Sequence, residues 1–286
     1  MTRRDKNNNN NNSSGNRPAM PRVIISAAVS VDGKISLAGG RRGPRSRARA
    51  PARLSSESDV SRVHRLRAKC DAILVGVNTV ISDDPLLTVR HARAGRKRGG
   101  GAAATGSQPV RVVLDSMART PPASKVAATS PGTRTIIAVS GTAPERRILA
   151  LRRTGAEVVT VGRKAVDVRR LLSRLAKDGI RSVLVEGGGT TNWEFLRRSL
   201  VDEIVVAVSP YVLGGGLRGA VSLVEGSGFP SVSGSPKLSL RSARRLGDHV
   251  ILSYDVGAGD GGNGNGDGSS SNGDGIRRPR RAGSRT

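Results

Sequence analysis

The segment Leu184-Val185-Glu186-Gly187-Gly188-Gly189-Thr190-Thr191-Asn192-Trp193 carries the strongest structural signal in the chain. A short apolar run ends in a carboxylate, three glycines follow, and residues 190–200 have the pattern of a helix. Ligands dock at such junctions, at the carboxyl ends of strands in open α/β sheets. Backbone N–H groups at a helix N-terminus bind phosphate, and glycine lets the phosphate approach. Three consecutive glycines are more than a tight turn needs, so phosphate binding is favoured here over a turn without a ligand.

Apolar, β-branched runs recur on both sides of this segment, and helix-like stretches separate several of them. The runs predict strands at residues 23–29, 72–75, 110–114, 135–139, 157–161, 182–185 and 204–208. Helices are predicted at residues 56–69, 145–153, 168–177 and 190–200. This alternation predicts an α/β domain with a largely parallel sheet. The last two runs, 237–240 and 250–254, have no helix between them and predict an antiparallel hairpin at the sheet edge.

The two ends of the chain differ in composition from the middle. Residues 1–20 and 257–286 are rich in Asn, Gly, Ser and Arg and almost lack apolar side chains. Such segments cannot offset the entropy of ordering, so we predict two disordered tails around a domain at residues 21–256. Within that domain, the Arg-rich residues 39–53 and 91–108 are expected to be surface loops.

The formal charge of +26 is unusually high, and the tails account for only +3 and +2 of it. A charge of this size attracts polyanions, whether nucleic acid, a membrane surface or phosphorylated small molecules. A compositional bias without function explains it equally well. With Cys70 as the single cysteine, an intrachain disulfide and a Cys-based zinc site are excluded, and no metal site is predicted. The apolar runs are strand-sized and no signal peptide precedes them, so a cytoplasmic protein without a membrane span is expected.

Three further segments contain turn signals. Residues 74–90 include Asp83-Asp84-Pro85, which is typical of a structural turn, with metal binding by the two carboxylates as the alternative. Asp32-Gly33 follows the first strand and also predicts a turn. Residues 214–219 match G-x-G-x-x-G without the strand and helix that this motif requires, so they are interpreted as a glycine loop near the site.

Together, residues 28–35, 74–90 and 184–193, in this order, resemble the reductase family of riboflavin biosynthesis. Residues 62–68, 111–116 and 200–203 agree with that family as well. The resemblance covers residues 21–256 and is greatest to the stand-alone archaeal and fungal enzymes. It implies a dihydrofolate-reductase-like fold with helices on both faces of the sheet, and a homodimer. The bacterial relatives carry an N-terminal zinc deaminase, with its H-x-E and P-C-x-x-C signature, which this sequence lacks.

The resemblance also implies a reaction and a set of site residues. NADPH would reduce the ribosyl group of a 2,5-diamino-6-(5-phosphoribosylamino)pyrimidin-4(3H)-one to ribityl, with Glu186 at the ribose as the catalytic candidate. Substrate would be bound by Arg67, Leu87 and Arg90, whose two guanidinium groups suit a phosphate. The residues implied for the cofactor are Thr79, Asp83, Gly162, Gly187, Gly188, Gly189 and Thr190. Bacterial relatives have a Lys in the first strand where this chain has Ser26, so the role of that Lys as a proton donor is not transferred.

Two other functional classes fit parts of the sequence. A dihydrofolate-reductase-like enzyme acting on another pterin or pyrimidine would share the fold, but it would not need two arginines for a substrate phosphate. A basic nucleic-acid-binding protein would explain the charge. However, the chain has only five aromatic residues and no recognisable binding motif, so no specific nucleic-acid partner is expected.

Overall fold

The computed structural model describes residues 20–37, 54–89, 108–128, 132–215 and 219–257. Most of both predicted tails, and nearly all of the two Arg-rich loops, lie outside these ranges, so the disorder of the tails stays a prediction. Within the described ranges, no helix is long and apolar enough to cross a membrane.

One mixed sheet forms the centre of the fold. Its strands are β1 (Arg22–Val29), β2 (Ala72–Gly76), β3 (Val110–Leu114), β4 (Thr135–Val139), β5 (Glu157–Thr160), β6 (Ser182–Val185), β7 (Glu203–Val208), β8 (Leu238–Leu246) and β9 (His249–Val256). The helices are α1 (Glu57–Arg67), α2 (Val77–Asp83), α3 (Glu145–Arg152), α4 (Val168–Lys177) and α5 (Gly189–Leu196).

The strand order is β5-β4-β3-β2-β6-β1-β7-β9-β8. Strands β1 to β7 are parallel to one another, whereas β9 pairs antiparallel with β7 and β8 pairs antiparallel with β9 at the edge. The predicted parallel sheet with an edge hairpin is therefore confirmed. From β2 the chain adds β3, β4 and β5 outward and then returns to place β6 between β2 and β1. This reversal opens a crevice at the carboxyl ends of β2 and β6, the position where α/β sheets bind ligands.

Helices cover both faces of the sheet. On one face α4 and α5 pack on the main core cluster, which includes Leu171 and Phe195. On the other face α2 and α3 pack against the alternate residues of β2, β3 and β4, such as Ile73 and Val113. Helix α1 reaches this second face through Leu66, beside Leu184. Alternating strand residues therefore bury their side chains on opposite faces.

Three elements differ from the sequence-based prediction. Helix α2 was not predicted, because Val77–Asp83 is a single short helix of Asn, Thr and Ser next to a turn motif. Strand β8 continues to Leu246 instead of ending at Leu240, because its outer half is polar and exposed rather than apolar. Helix α5 ends at Leu196, four residues early, and Ser199 has a left-handed backbone with φ of 52°. The other helix and strand ends agree within two or three residues, which is the usual uncertainty of element ends.

Candidate active site

The crevice is formed where β2, β6 and β1 end side by side. The N–H of Glu186 donates to the carbonyl of Leu74 at 2.9 Å, which extends the ladder between β6 and β2 by one residue. On the other side, Ile25 pairs with Val185, so the next residues along, Ser26 and Glu186, are neighbours. Their side chains point to the same face of the sheet, the face that carries α1.

Glu186 forms a two-point ion pair with Arg67 at the end of α1. Arg67 Nε donates to Glu186 Oε1 at 2.7 Å, and Nη2 donates to Oε2 at 2.6 Å. The two side chains are only 16% and 10% exposed. A guanidinium matches a carboxylate in this fork geometry, and the pairing holds the carboxylate in one orientation. Glu186, implied for catalysis, and Arg67, one of the three residues implied for substrate, are thus held together.

The same guanidinium also orders the segment that follows α2. Arg67 Nη1 donates to the carbonyl of Thr88 at 2.9 Å. Leu87, implied for substrate, is instead 2% exposed within the second core cluster, and its backbone is left-handed with φ of 49°. A left-handed leucine is strained, and such strain clusters at functional sites. The side chain of Leu87 therefore packs the core, and only the backbone around it is available to a ligand.

The side chain of Gln108 binds the backbone of Val89, at the end of this segment. Its side-chain oxygen accepts from the N–H of Val89 at 2.7 Å, and its amide nitrogen donates to the carbonyl of Val89 at 3.2 Å. Sequence reasoning assigned Gln108 to a surface loop and did not consider Thr88, whose contribution is a backbone carbonyl that no side-chain motif reveals. Arg90, the second arginine implied for the substrate phosphate, lies outside the described residues.

The protein itself explains each of the three glycines after Glu186. A Cβ on Gly187 would lie 2.9 Å from the hydroxyl oxygen of Thr79, and Gly188 has φ of 81°. A Cβ on Gly189 would meet the side chain of Glu225 at 2.7 Å. The premise that three glycines exceed the needs of a turn was therefore wrong, because packing and backbone geometry require all three. Phosphate binding at this turn stays a prediction.

The residues implied for the cofactor fall into two groups. Thr79 on α2 lies against Gly187, and Thr190 is exposed in the first turn of α5. Asp83 is exposed one helical turn beyond Thr79. Gly162 lies at the end of β5, four strand positions from β6, with φ of 90°. Four strand spacings of about 4.8 Å separate it from the turn by roughly 19 Å, so only an extended ligand reaches both.

A loop layer lies over the carboxyl end of β1. Asp32 accepts hydrogen bonds from the N–H groups of Leu213 and Gly214 at 3.0 and 2.8 Å. The hydroxyl of Ser30 and the N–H of Leu213 lower the pKa of Asp32 from its ordinary value to about 2. Lys34 Nζ donates to Ser222 Oγ at 3.0 Å. Leu213 and Gly214, where the predicted glycine loop begins, are thus anchored to the turn after β1.

Two polar atoms in this region are buried without a hydrogen-bond partner. Ser26 Oγ, beside Glu186, and Asn192 Oδ1, in the first turns of α5, have no partner within the part of the chain that the structure describes. The Asn192 amide nitrogen donates to the carbonyl of Leu223 at 2.7 Å, which fixes the amide orientation. Buried polar groups normally find a partner, so both atoms are suited to a polar ligand or an ordered water.

Comparison with known proteins places this site in a family. The model of the RibD C-terminal domain matches residues 21–252. The chain belongs to this family. A 2,5-diamino-6-ribosylamino-4(3H)-pyrimidinone 5′-phosphate reductase from Methanothermobacter thermautotrophicus is 42% identical over 236 residues, which cover 82% of this chain and 98% of that protein. The protein of the same name from Aquifex aeolicus is 38% identical and is covered over 96% of its length.

Solved structures of the family share this fold. RibD from Acinetobacter baumannii superposes with a TM-score of 0.63 at 25% identity, over 83% of this chain and 58% of that one. The dihydrofolate-reductase-like α/β fold with its C-terminal antiparallel hairpin is therefore confirmed, and so is the resemblance to the riboflavin-biosynthesis reductases. The members of this family that the chain matches over nearly their full length are named reductases, which makes the chain an oxidoreductase.

Proposed function

We propose that the chain is a cytoplasmic, homodimeric enzyme that uses NADPH to reduce the ribosyl group of 2,5-diamino-6-(5-phosphoribosylamino)pyrimidin-4(3H)-one to ribityl. One observation carries the proposal: a 42% identical relative, covered over 98% of its length, is named as the reductase acting on this substrate. The Arg67–Glu186 pair at the crevice supports it, because the contact brings together two residues that the family resemblance implies for the site.

Glu186 is the group that we assign to the ribose. Its carboxylate is held by two charge-assisted hydrogen bonds, so it meets a ligand in a preorganised position, and each oxygen keeps a lone pair for a ribose hydroxyl. A carboxylate here can accept a proton or orient a hydroxyl while the sugar ring opens and the C1′–nitrogen bond becomes an imine. Arg67 is a positioning residue in this account, because it acts through Glu186 and Thr88.

The substrate phosphate needs cations that are free to bind it. Arg67 already uses three of its five N–H donors within the protein, which leaves two for a ligand oxygen. Arg90 follows the segment that Arg67 and Gln108 hold in place, so we assign the larger share of phosphate binding to Arg90. The backbone around Leu87 would line the substrate pocket beside Arg67.

The residues of the crevice fit a nicotinamide dinucleotide. The N-cap of α5 is Gly188, which has no side chain to occupy the first N–H groups of the helix, and Thr79 and Thr190 offer hydroxyls beside it. The buried, unpartnered Ser26 Oγ and Asn192 Oδ1 are further contacts for a polar ligand. Thr79, Asp83, the turn 187–190 and Gly162 would hold NADPH, which supplies a hydride to C1′ when bound.

A direct assay of cofactor oxidation, combined with identification of the product, tests the proposal. Purified protein is mixed with NADPH and the 2,5-diamino substrate, cofactor absorbance is followed, and the product is identified by mass spectrometry. We expect cofactor oxidation that depends on the substrate and a product two hydrogens heavier. Parallel reactions with NADH, with the deaminated pyrimidine and with dihydrofolate define the specificity. Turnover of dihydrofolate alone, or no ribityl product while a family relative is active in the same buffer, would overturn the proposal.

A further inference from the structure

The loops that follow β3, β4 and β5 are joined into one surface at the carboxyl edge of the sheet. Ser140 Oγ, after β4, donates to the carbonyl of Ser116, after β3, at 2.7 Å. The N–H of Gly141 donates to the carbonyl of Gly162, after β5, at 3.0 Å, and the N–H of Val166 donates to Ser116 Oγ at 3.1 Å. This surface continues the crevice at β2 and β6 toward Gly162. An extended dinucleotide that reaches from the crevice to Gly162 therefore crosses it.

Arg119 lies exposed on this surface, next to the crevice. Its Nη2 donates to Asn78 Oδ1, in the first turn of α2, at 3.0 Å. The residue after Asn78 is Thr79, whose side chain lies against Gly187. The guanidinium is therefore connected, through two neighbouring residues of α2, to the glycine turn that we assign to the cofactor.

The loop that carries Arg119 is held on both sides of this residue. Before it, Ala118 is 3% exposed in the second core cluster and has a left-handed backbone with φ of 51°. After it, Thr120 donates to Asp115 Oδ2 through its N–H at 2.6 Å and through its hydroxyl at 2.7 Å. A left-handed alanine is strained, and such strain clusters at functional sites. A side chain on a preorganised loop also loses less entropy when it binds a ligand.

The charge of Arg119 has no acidic partner within the ranges that the structure describes. Its bond to Asn78 uses one of five N–H donors, so four remain for a ligand. Exposed arginines elsewhere, such as Arg134 and Arg197, pair with carboxylates instead. A guanidinium with free donors suits a phosphate, which it binds through two parallel hydrogen bonds.

Strand positions select Arg119 among the cations of this surface, which also include the exposed Arg163 and Lys164 after β5. Strand β3 lies two positions from β6, or roughly 10 Å, whereas β5 lies four positions away, or roughly 19 Å. The 2′-phosphate of NADPH is attached to the adenosine ribose, which directly follows the pyrophosphate. A pyrophosphate at the glycine turn therefore brings the 2′-phosphate to the loop after β3 and leaves the cations after β5 out of its reach.

We infer that Arg119 binds the 2′-phosphate of NADPH and gives this protein a preference for NADPH over NADH. The two cofactors differ only in this phosphate, so a guanidinium that binds it adds to the affinity for NADPH alone. The inference rests on the nicotinamide cofactor of the proposed function. It goes beyond that function by naming the residue that distinguishes the two cofactors.

Binding of two cofactor fragments tests the inference without turnover. Adenosine 2′,5′-bisphosphate carries the 2′-phosphate, and 5′-AMP lacks it. Isothermal titration calorimetry of the full-length protein at low ionic strength measures both affinities. We expect wild type to bind the bisphosphate at least about tenfold more tightly than 5′-AMP, the low end for a charge-assisted hydrogen bond. Arg119→Ala should lose this difference, while its affinity for 5′-AMP stays at the wild-type value.

Arg153→Ala is the matched control. Arg153 is exposed at the C-cap of α3, just before β5, so its loss changes the net charge equally but at the amino edge of the sheet. This variant should keep the wild-type preference for the bisphosphate. Ribose 5-phosphate, which carries the phosphate of the substrate, should bind equally to wild type and Arg119→Ala. If Arg119→Ala does not fold by circular dichroism, Arg119→Gln replaces it, since glutamine keeps an amide donor for Asn78.

The outcomes separate this inference from the proposed reaction. Equal binding of the bisphosphate and 5′-AMP by wild type would overturn the inference, and so would a folded Arg119 variant that keeps the preference. Loss of affinity for ribose 5-phosphate in that variant would instead assign Arg119 to the substrate and overturn it too. Equal reduction of the 2,5-diamino substrate with NADPH and NADH contradicts the inference alone. A preference for the bisphosphate without any ribityl product contradicts the proposed reaction alone.

Discussion

Glu186 and Glu203 are both paired with arginine, but they lie at opposite ends of the parallel strands. Glu186 follows β6 at the carboxyl edge, whereas Glu203 begins β7 at the amino edge. Both carboxylates are nearly buried and both bind arginine: Glu203 accepts from Arg22 at 2.7 Å and from Arg241. The arginines differ, since Arg67 is 16% exposed while Arg22 and Arg241 are 53% and 41% exposed.

The two ion pairs differ in where they lie in the sheet and in what they connect. Glu203 connects β7 to β1 and to β8, so its bonds join strands of the sheet and use both of its oxygens. Glu186 joins α1 to the carboxyl end of β6, where the strand order reverses, and α/β sheets bind ligands at such positions. Position in the sheet, rather than residue type or burial, separates a stabilising glutamate from a catalytic candidate.

The most severe loss of activity is expected from Glu186→Gln. The amide keeps the shape of the carboxylate but loses its charge, its ability to accept a proton and the strong bond to Arg67. General acid–base groups contribute about 100- to 10,000-fold to rates, so kcat/KM should fall by at least about 100-fold. Glu203→Gln is the matched control and should keep kcat near wild type. An equal loss of kcat/KM in both variants would contradict the assignment of Glu186 to the site and of Glu203 to the stability of the sheet.

A smaller loss of activity is expected from Arg67→Lys. Lysine keeps the charge but cannot form the two-point contact with Glu186 and also reach Thr88. Charge-assisted hydrogen bonds are worth about 1.5–3 kcal/mol, which corresponds to a loss in kcat/KM of roughly 10- to 150-fold. Steady-state kinetics with varied substrate measure it, with Arg241→Lys as the control on the stabilising pair. Full activity of Arg67→Lys would show that Glu186 needs no such positioning.

The strands could be predicted from sequence because the physics that forms them is local. Runs such as residues 72–75 and 110–114 are β-branched and fully apolar, which few structures other than buried strands accommodate. The predicted start of the first helix at residue 56 agrees with the structure, where Ser56 caps α1 by accepting a hydrogen bond from the N–H of Asp59 at 3.2 Å. Helix α2 was missed because seven residues with Asn, Thr, Ser and Asp carry no periodic apolar signal.

The site was only partly accessible to sequence reasoning. Arg67 and Glu186 were both implied by resemblance, but their contact joins residues 119 apart and depends on β6 returning between β2 and β1. No local pattern encodes that return. The burial of Leu87 was equally hidden from the sequence, because its side chain lies in the core and its backbone is left-handed, and no local pattern indicates either feature.

Glu203, which we expect to matter little for activity, should matter for the stability of the fold. Glu203→Ala removes the acceptor of two arginines, and we expect the free energy of unfolding to fall by about 1.5 kcal/mol, the low end for charged hydrogen bonds, because both arginines can turn to water. Urea denaturation at neutral pH measures this loss. The same variant should retain wild-type KM for substrate. Unchanged stability of Glu203→Ala would contradict the structural role of the amino-edge pair.

The smallest effect is expected at Asp32, which anchors the loop over β1. Its folded-state pKa of about 2 lies below the ordinary value near 3.8. A lowered pKa means that the carboxylate stabilises the fold above about pH 4 and that this contribution is lost as the pH falls toward 2. Urea denaturation of wild type and Asp32→Asn should therefore differ at pH 5 and converge near pH 2. If the difference in unfolding free energy between the two proteins stays constant from pH 5 to pH 2, the contacts of Asp32 with Leu213 and Gly214 do not stabilise the fold.

The central claim is hydride transfer to the sugar of the substrate at the crevice around Glu186. Transfer of label tests it most directly: NADPH carrying deuterium at both C4 positions of the nicotinamide is used with the 2,5-diamino substrate, and the product is analysed by mass spectrometry and NMR. The account predicts one deuterium at C1′ of a ribityl product with wild type, and label in the same place, formed far more slowly, with Glu186→Gln. Cofactor oxidation that leaves C1′ without deuterium, or a ribosyl group that is recovered unreduced, would contradict it.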